Sequence, residues 1–221
     1  MAEYPLALRL AGRLCVVVGG GAVGRRKVAG LLAAGARVRV VDPRAQTLDA
    51  GVEVELVPRA WRAEDLTGAF LVFAATDDAA LNARIVAAAR SAGALAQAVD
   101  DPQNGDFHLP AVLRRGALTL AVFTGGRSPA LAAAVRDRLA REFGVEWARV
   151  VEIAAALRQK RLTGAEANSY NYNILQKLLA GGLVELAARG EFAAIEELLA
   201  RVTGESICLE RLGIELPKGL K

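Results

Sequence analysis

The stretch LCVVVGGGAVGRRKVAGLLAAGARVRVVD, residues 14–42, decides the fold. Leu14–Val18 is an unbroken apolar run stopped by glycines, the pattern of a strand buried on both faces of a parallel sheet. From Gly24 to Ala34 the period changes. Val28, Leu31 and Leu32 fall at i, i+3 and i+4 on one face of a helix, and Gly35 stands where a helix C′ residue belongs. Arg37–Val41 is a second β-branched run. Strand, helix and strand with short connections make a βαβ unit, whose crossover is expected to be right-handed.

Between the first strand and the helix, Gly19-Gly20-Gly21-Ala22-Val23-Gly24 matches G-x-G-x-x-G in the context that this fingerprint requires. Gly19 permits the tight turn, Gly21 lets a pyrophosphate approach the backbone, and Gly24 lets helix and strand pack closely. The free N–H groups and the dipole at the helix start favour the phosphates. Asp42 closes the second strand, where a carboxylate accepts ribose hydroxyls and repels a 2′-phosphate. NAD is therefore expected rather than NADP, with Arg44 next to the acid weakening the preference.

Working outward, Val52, Val54 and Leu56 alternate, and Phe70–Ala75 and Ala94–Val99 are apolar runs with a helix expected between them at Ala79–Ala92. This repeated switch of period is that of a doubly wound α/β sheet. Ala117–Val122 reads as one more strand. Ser128 and Pro129 then suit the N-cap and first position of a helix whose stripe is Leu131, Val135, Leu139 and Phe143, ended by Gly144. Beyond it only helices are expected: one through Trp147, Val150, Val151, Ala154 and Leu157, another over Ile174–Leu186, and a third over Phe192–Val202. The reading is an N-terminal Rossmann-type domain over 1–112, a connecting region over 113–145, and a small α-helical C-terminal domain over 146–221. Leucine-rich faces on the short helices suggest burial against a second subunit.

Three places hold candidate chemistry. Asp100-Asp101-Pro102 sets adjacent carboxylates at the carboxyl edge of a strand, and one of them is suited to take a proton; the same residues also make an ordinary turn. Thr124-Gly125-Gly126-Arg127-Ser128 forms a nest of N–H donors ahead of a helix, a candidate site for a carboxylate-rich substrate, with Arg114, Arg115 and Arg127 nearby in sequence. Ala74-Ala75-Thr76-Asp77 follows another strand and should face the dinucleotide crevice, Thr76 as a cofactor contact and Asp77 more simply as a helix cap. His108, the single histidine, has no partner at ligand spacing, so a structural role is favoured and no metal site is expected.

The 221 residues suffice for one large and one smaller domain. Hydrophobic residues make up 53% and aromatics only 5%, so the core must be built from Ala, Val and Leu. Cys15 and Cys208 are far apart, which argues against a disulfide framework. The net charge of +4 comes from scattered arginines without a basic run. That excludes a nucleic-acid arm yet would draw in a small anion. No apolar stretch is long enough to span a bilayer and the N-terminus lacks the order of a signal peptide, so a cytoplasmic protein with no membrane association is expected.

Three longer stretches carry a family resemblance: YPLALRLAGRLCVVVGGGAVGRRKVAGLLAAGARVRVV, FAATDDAALNARI, and AVDDPQNGDFHLPAVLRRGALTLAVFTGGRSPALAAAVRDRLARE. In these the chain resembles the precorrin-2 dehydrogenase family, including the N-terminal module of siroheme synthase. The resemblance implies NAD-dependent oxidation of precorrin-2, a tetrapyrrole bearing many carboxylates, to sirohydrochlorin. It implies a homodimer in which 113–145 is the dimerisation region. It places the catalytic aspartate at Asp100 and cofactor contacts at Ala22, Val23, Pro43 and Arg44. Gln97 stands where the family usually has asparagine, and Thr124 where some relatives carry a regulatory serine. No methyltransferase domain is recognisable, so a separate enzyme is expected to supply the substrate. Two alternatives stand beside this reading: a bifunctional enzyme that also inserts ferrous iron, and a non-catalytic NAD-sensing dimer.

Overall fold

The computed structural model describes residues 3–44, 54–101, 104–160 and 167–214. Val52 and Pro102 lie outside the described residues, as do parts of the two C-terminal stretches after Lys160 and Ile214. The chain divides into two compact units: residues 1–109 with 123–128, and residues 110–122 with 129–221.

In the first unit, β1 (Leu14–Val18), β2 (Arg37–Val41), β3 (Val54–Val57), β4 (Leu71–Ala74) and β5 (Leu95–Ala98) form one parallel sheet in the order β3-β2-β1-β4-β5. Strand pairing sets Val18 level with Val41 on one side and Ala74 on the other. The chain winds outward from β1 through β2, then returns to β4 beside β1. The strand order therefore reverses between β1 and β4, where α/β sheets open a crevice at their carboxyl ends. Helices α1 (Ala22–Ala33) and α2 (Ala79–Ser91) connect β1 to β2 and β4 to β5.

Alternation along the strands divides the core into two layers. Val16, Val18, Val72 and Ala74 face one way and pack with Ile85, Val86 and Ala89 of α2. Cys15, Val17, Leu71 and Phe73 face the other way and pack with Val28 and Leu31 of α1. Both faces of β1 are closed, as its continuous apolar run predicts. Gly35 has φ +72°, so the residue that ends α1 needs the left-handed conformation open to glycine.

The second unit begins with an element that the sequence reading passed over. The expected connection contains β6 (Ala111–Arg115), antiparallel to β7 (Leu118–Val122). Its Arg114-Arg115 ending hides the apolar alternation of so short an edge strand. Helix α3 (Pro129–Glu142) starts at the expected proline and packs on this hairpin. The stripe expected to enter its core is only partly buried. Ala132 is buried while Leu131 and Val135 are 56% and 37% exposed.

The remaining helices are α4 (Trp147–Lys160), α5 (Ala167–Ala180), α6 (Leu183–Arg189) and α7 (Phe192–Thr203). They enclose an aliphatic core that includes Ile153, Leu178, Leu183, Ile195 and Leu199. Ile153, rather than Val151 or Ala154, fills the inner position of α4. The single helix expected over Ile174–Leu186 is two helices. Gly182 has φ +89°, and a Cβ on Gly181 would fall 2.6 Å from Leu198 Cδ1. The glycine pair thus breaks the helix and lets α7 approach.

Candidate functional site

The carboxyl edge of the sheet gathers four segments of the first unit. Gly19 extends β1, its N–H bonded to the Val41 carbonyl; Asp42 extends β2; Ala75 extends β4, bonded to the Val18 carbonyl; Val99 extends β5, bonded to the Ala74 carbonyl. Thr124–Ser128 belongs to the same compact unit.

Each fingerprint glycine has a visible physical reason. Gly19 has φ +108°, and a Cβ there would strike the Ala75 carbonyl. A Cβ on Gly24 would collide with the Gly19 carbonyl, so only glycine lets α1 begin so close to the turn. Gly21 is the N-cap of α1, no side chain caps it, and the position of its missing Cβ is open space. That opening is a cradle at a helix N-terminus, into which a pyrophosphate fits without meeting a side chain. Ala22 and Val23 are exposed beside it.

Asp42 is 8% exposed and binds backbone on both sides. Its Oδ2 accepts from Gly20 N at 2.5 Å and its Oδ1 from Arg44 N at 2.6 Å. A carboxylate has about four acceptor sites, so capacity for ribose hydroxyls is left after these two bonds. Pro43 and Arg44 follow on the surface. The Arg44 guanidinium lies 3.7 Å from the Asp77 carboxylate, a largely solvated pair. The expected cap role of Asp77 falls instead to Asp78, whose Oδ1 accepts from Leu81 N at 3.0 Å.

Asp100 is exposed at the end of β5, and one of its oxygens is held. Asn82 Nδ2 donates to Asp100 Oδ1 at 2.8 Å. Asn82 is itself 1% exposed on α2, and its Oδ1 accepts from Thr76 N at 3.1 Å and Thr76 Oγ1 at 2.7 Å. Thr76 and Asp100, separate in the sequence reading, are thus joined by a residue that the reading missed. The available signal was positional: Asn82, Ile85, Val86 and Ala89 are the buried face of α2, and an amide at a core position of an apolar stripe needs partners. Gln97 is buried too, with Nε2 donating to the Phe107 carbonyl at 3.0 Å, so it braces the segment after β5.

Gly125 and Gly126 have φ +59° and +70°, which curves the backbone of the glycine turn. Ser128 N donates to Thr124 Oγ1 at 3.2 Å and Thr124 Oγ1 donates to the Ser128 carbonyl at 3.0 Å, closing it. Arg127 is exposed. Arg115 is committed elsewhere, its Nε donating to the Phe143 carbonyl at 2.9 Å beyond the last turn of α3. His108 Nε2 lies 3.3 Å from Glu3 Oε1 and ties down the N-terminal segment, in line with a structural role. Burial pushes the Cys15 thiol up to about 11, which makes it core packing and no nucleophile at neutral pH.

Comparison with known proteins agrees with this fold. Residues 6–111 match the family described as "Putative NAD(P)-binding", and residues 115–142 match the sirohaem biosynthesis protein central domain, together more than half of the chain. Curated relatives of the chain include the siroheme synthase of Methylococcus capsulatus, 34% identical over 216 residues that make up 96% of this chain and 45% of that protein. The siroheme synthase of Gluconacetobacter diazotrophicus is 36% identical over 89% of this chain and 43% of its own length. The chain thus spans less than half of these relatives. Among solved structures, SirC, precorrin-2 dehydrogenase, superposes with a TM-score of 0.72 at 24% identity, covering 92% of this chain and all of that one. The chain therefore shares the fold of that structure across nearly its whole length. The described residues contain no helix long and apolar enough to cross a membrane.

Proposed function

We propose that this chain oxidises precorrin-2 to sirohydrochlorin with NAD as the acceptor. The observation that carries the reading is the placement of the Asp100 carboxylate at the same sheet edge as the glycine cradle, one oxygen fixed by a buried amide. Gly19, Gly21, Ala22, Val23 and Gly24 would hold the pyrophosphate, Asp42 the ribose, and Pro43, Arg44 and Thr76 the rim of the cofactor site. When bound, the oxidised nicotinamide supplies the acceptor for a hydride.

The protein's own part is to remove the accompanying proton and to hold a polyanion still. Asp100 takes the proton on Oδ2 while Oδ1 stays bonded to Asn82. The N–H groups of Thr124, Gly125 and Gly126, with the Arg127 guanidinium, would receive substrate carboxylates, on a turn closed by the N–H groups of Arg127 and Ser128. The overall positive charge favours the encounter.

The region 113–145 is proposed as the dimer contact between two copies of the chain, supported by the exposed apolar side chains of Leu131 and Val135 on α3. The cytoplasm is its proposed compartment. The deciding experiment is to mix protein, NAD and freshly made precorrin-2 without oxygen and follow the sirohydrochlorin absorbance together with NADH. Stoichiometric growth of both supports the enzyme; NAD binding without turnover would leave the NAD-sensing dimer. Iron insertion, tested with sirohydrochlorin and ferrous iron without NAD, separates the bifunctional alternative.

A further inference from the structure

The amide of Asn82 is the most completely bonded polar side chain at the sheet edge. Its Oδ1 accepts from both Thr76 N and Thr76 Oγ1. Its Nδ2 donates to the Thr76 carbonyl at 3.2 Å and to Asp100 Oδ1 at 2.8 Å. Two acceptor sites and two N–H groups are the whole capacity of an amide, and all four are used. The alternative orientation is chemically excluded, because a flipped amide would set its oxygen against the Asp100 carboxylate and its N–H groups against Thr76 N–H. At 1% exposure the side chain has no water to fall back on, and an unmade bond would cost about 1–3 kcal/mol.

We propose that Asn82 is a positioning residue that fixes the rotation of the Asp100 carboxylate, so that Oδ2 and not Oδ1 is presented to the substrate. This rests on the reading of Asp100 as the catalytic base. The carboxylate follows β5 by two residues, while the amide stands on α2 and grips the loop after β4. Asn82 therefore ties together two loops at the carboxyl edge, one carrying the base and the other carrying Thr76. An exposed aspartate otherwise samples several rotamers, and a reacting atom misplaced by about 1 Å can cost on the order of 100-fold in rate.

Asn82→Asp and Asn82→Leu have nearly the shape of asparagine and divide its functions. Asn82→Asp keeps an acceptor for Thr76 N and Oγ1 but loses the donor to Asp100; Asn82→Leu loses both. If Asn82 positions Asp100, Asn82→Asp lowers kcat by about 10- to 100-fold with the KM for NAD within about twofold. If it only braces the Thr76 loop, Asn82→Asp keeps kcat near wild type and the proposal is overturned, whether or not Asn82→Leu folds. A double-mutant cycle adds a second condition. In an Asp100→Ala background, Asn82→Asp should cost no further rate, and an additive loss overturns the coupling. The third readout needs no substrate: the side-chain amide resonance of Asn82 should move and exchange faster in Asp100→Ala. An unmoved signal overturns the contact itself, whereas a wild-type chain without turnover overturns the enzyme reading.

Discussion

The carboxyl edge of the sheet and the core of the helical unit are built on opposite principles. At the edge, small and polar residues are fixed one by one, Gly24 by a backbone carbonyl, Asn82 by four hydrogen bonds, Asp42 by two backbone N–H groups. In the helical unit, Ile153, Leu178, Leu183, Ile195 and Leu199 fill space, and any side chain of similar volume would serve nearly as well. The difference teaches where each kind of damage should appear: changes at the edge act on rate and affinity, changes among the helices act on stability.

The largest expected effect is at the edge. Asp100→Ala should lower kcat by about 10³-fold, within the range for loss of a general base, while leaving the NAD dissociation constant within about twofold of wild type by calorimetry. An equal loss of NAD affinity would break the comparison, because the side chain would then be part of the cofactor site. Its counterpart is Leu178→Ala. Leu178 is fully buried, and truncation to alanine should cost about 2–5 kcal/mol. Thermal denaturation should show the loss, with kcat per folded molecule unchanged. A fall in kcat would mean that the helical unit takes part in the chemistry.

Much of the edge was legible because its constraints are local. Gly24 is required by its contact with Gly19 and Gly19 by the positive φ of its turn, both inside residues 14–42, so motif, strand and helix agree in a single window. The sheet strands were legible for the same reason, since β1 is buried on both faces and reads as a continuous apolar run, and β2 carries three buried valines in five residues. Asn82 was missed because its meaning lies in pairing with Asp100 across two different loops, and no window contains both. Strand β6 was missed because one residue of it, Leu113, is well buried, which leaves too little alternation to see. The stripe Leu131, Val135, Leu139 and Phe143 was correctly periodic, yet periodicity does not say what covers it. The break at Gly181-Gly182 was hidden by leucines that continue the helical spacing on both sides.

A smaller effect tests whether the sheet unit also contains purely structural charge. Asp65 is 5% exposed and receives Arg59 at 2.7 and 2.9 Å as well as Arg62 N at 2.8 Å. The hydrogen bonds from the Arg59 guanidinium hold its carboxyl below the usual aspartate range. A carboxyl depressed on folding stabilises the protein above its unfolded pKa of about 3.9, and that contribution is lost as the pH falls through the lower folded value. Asp65→Asn should therefore cost about 1–3 kcal/mol at neutral pH, and the gap to wild type should close under acid as wild type is protonated too. A gap that stays constant down to strong acid would show that shape, and not charge, holds this turn.

The smallest effect is the one that best separates binding from framework at a single residue. Asp42 braces Gly20 and Arg44 through their N–H groups, and in the proposed cofactor site its charge would also meet a ribose hydroxyl or a 2′-phosphate. Asp42→Asn removes the charge and keeps one acceptor, so the Gly20 bond can persist while the repulsion of a phosphate is lost. The preference for NAD over NADP should then narrow by about tenfold, equivalent to roughly 1.4 kcal/mol, mostly through tighter NADP binding because Arg44 is adjacent. If both cofactors weaken together instead, the carboxylate acts chiefly by shaping the glycine turn, and discrimination between the cofactors must come from another residue of the crevice.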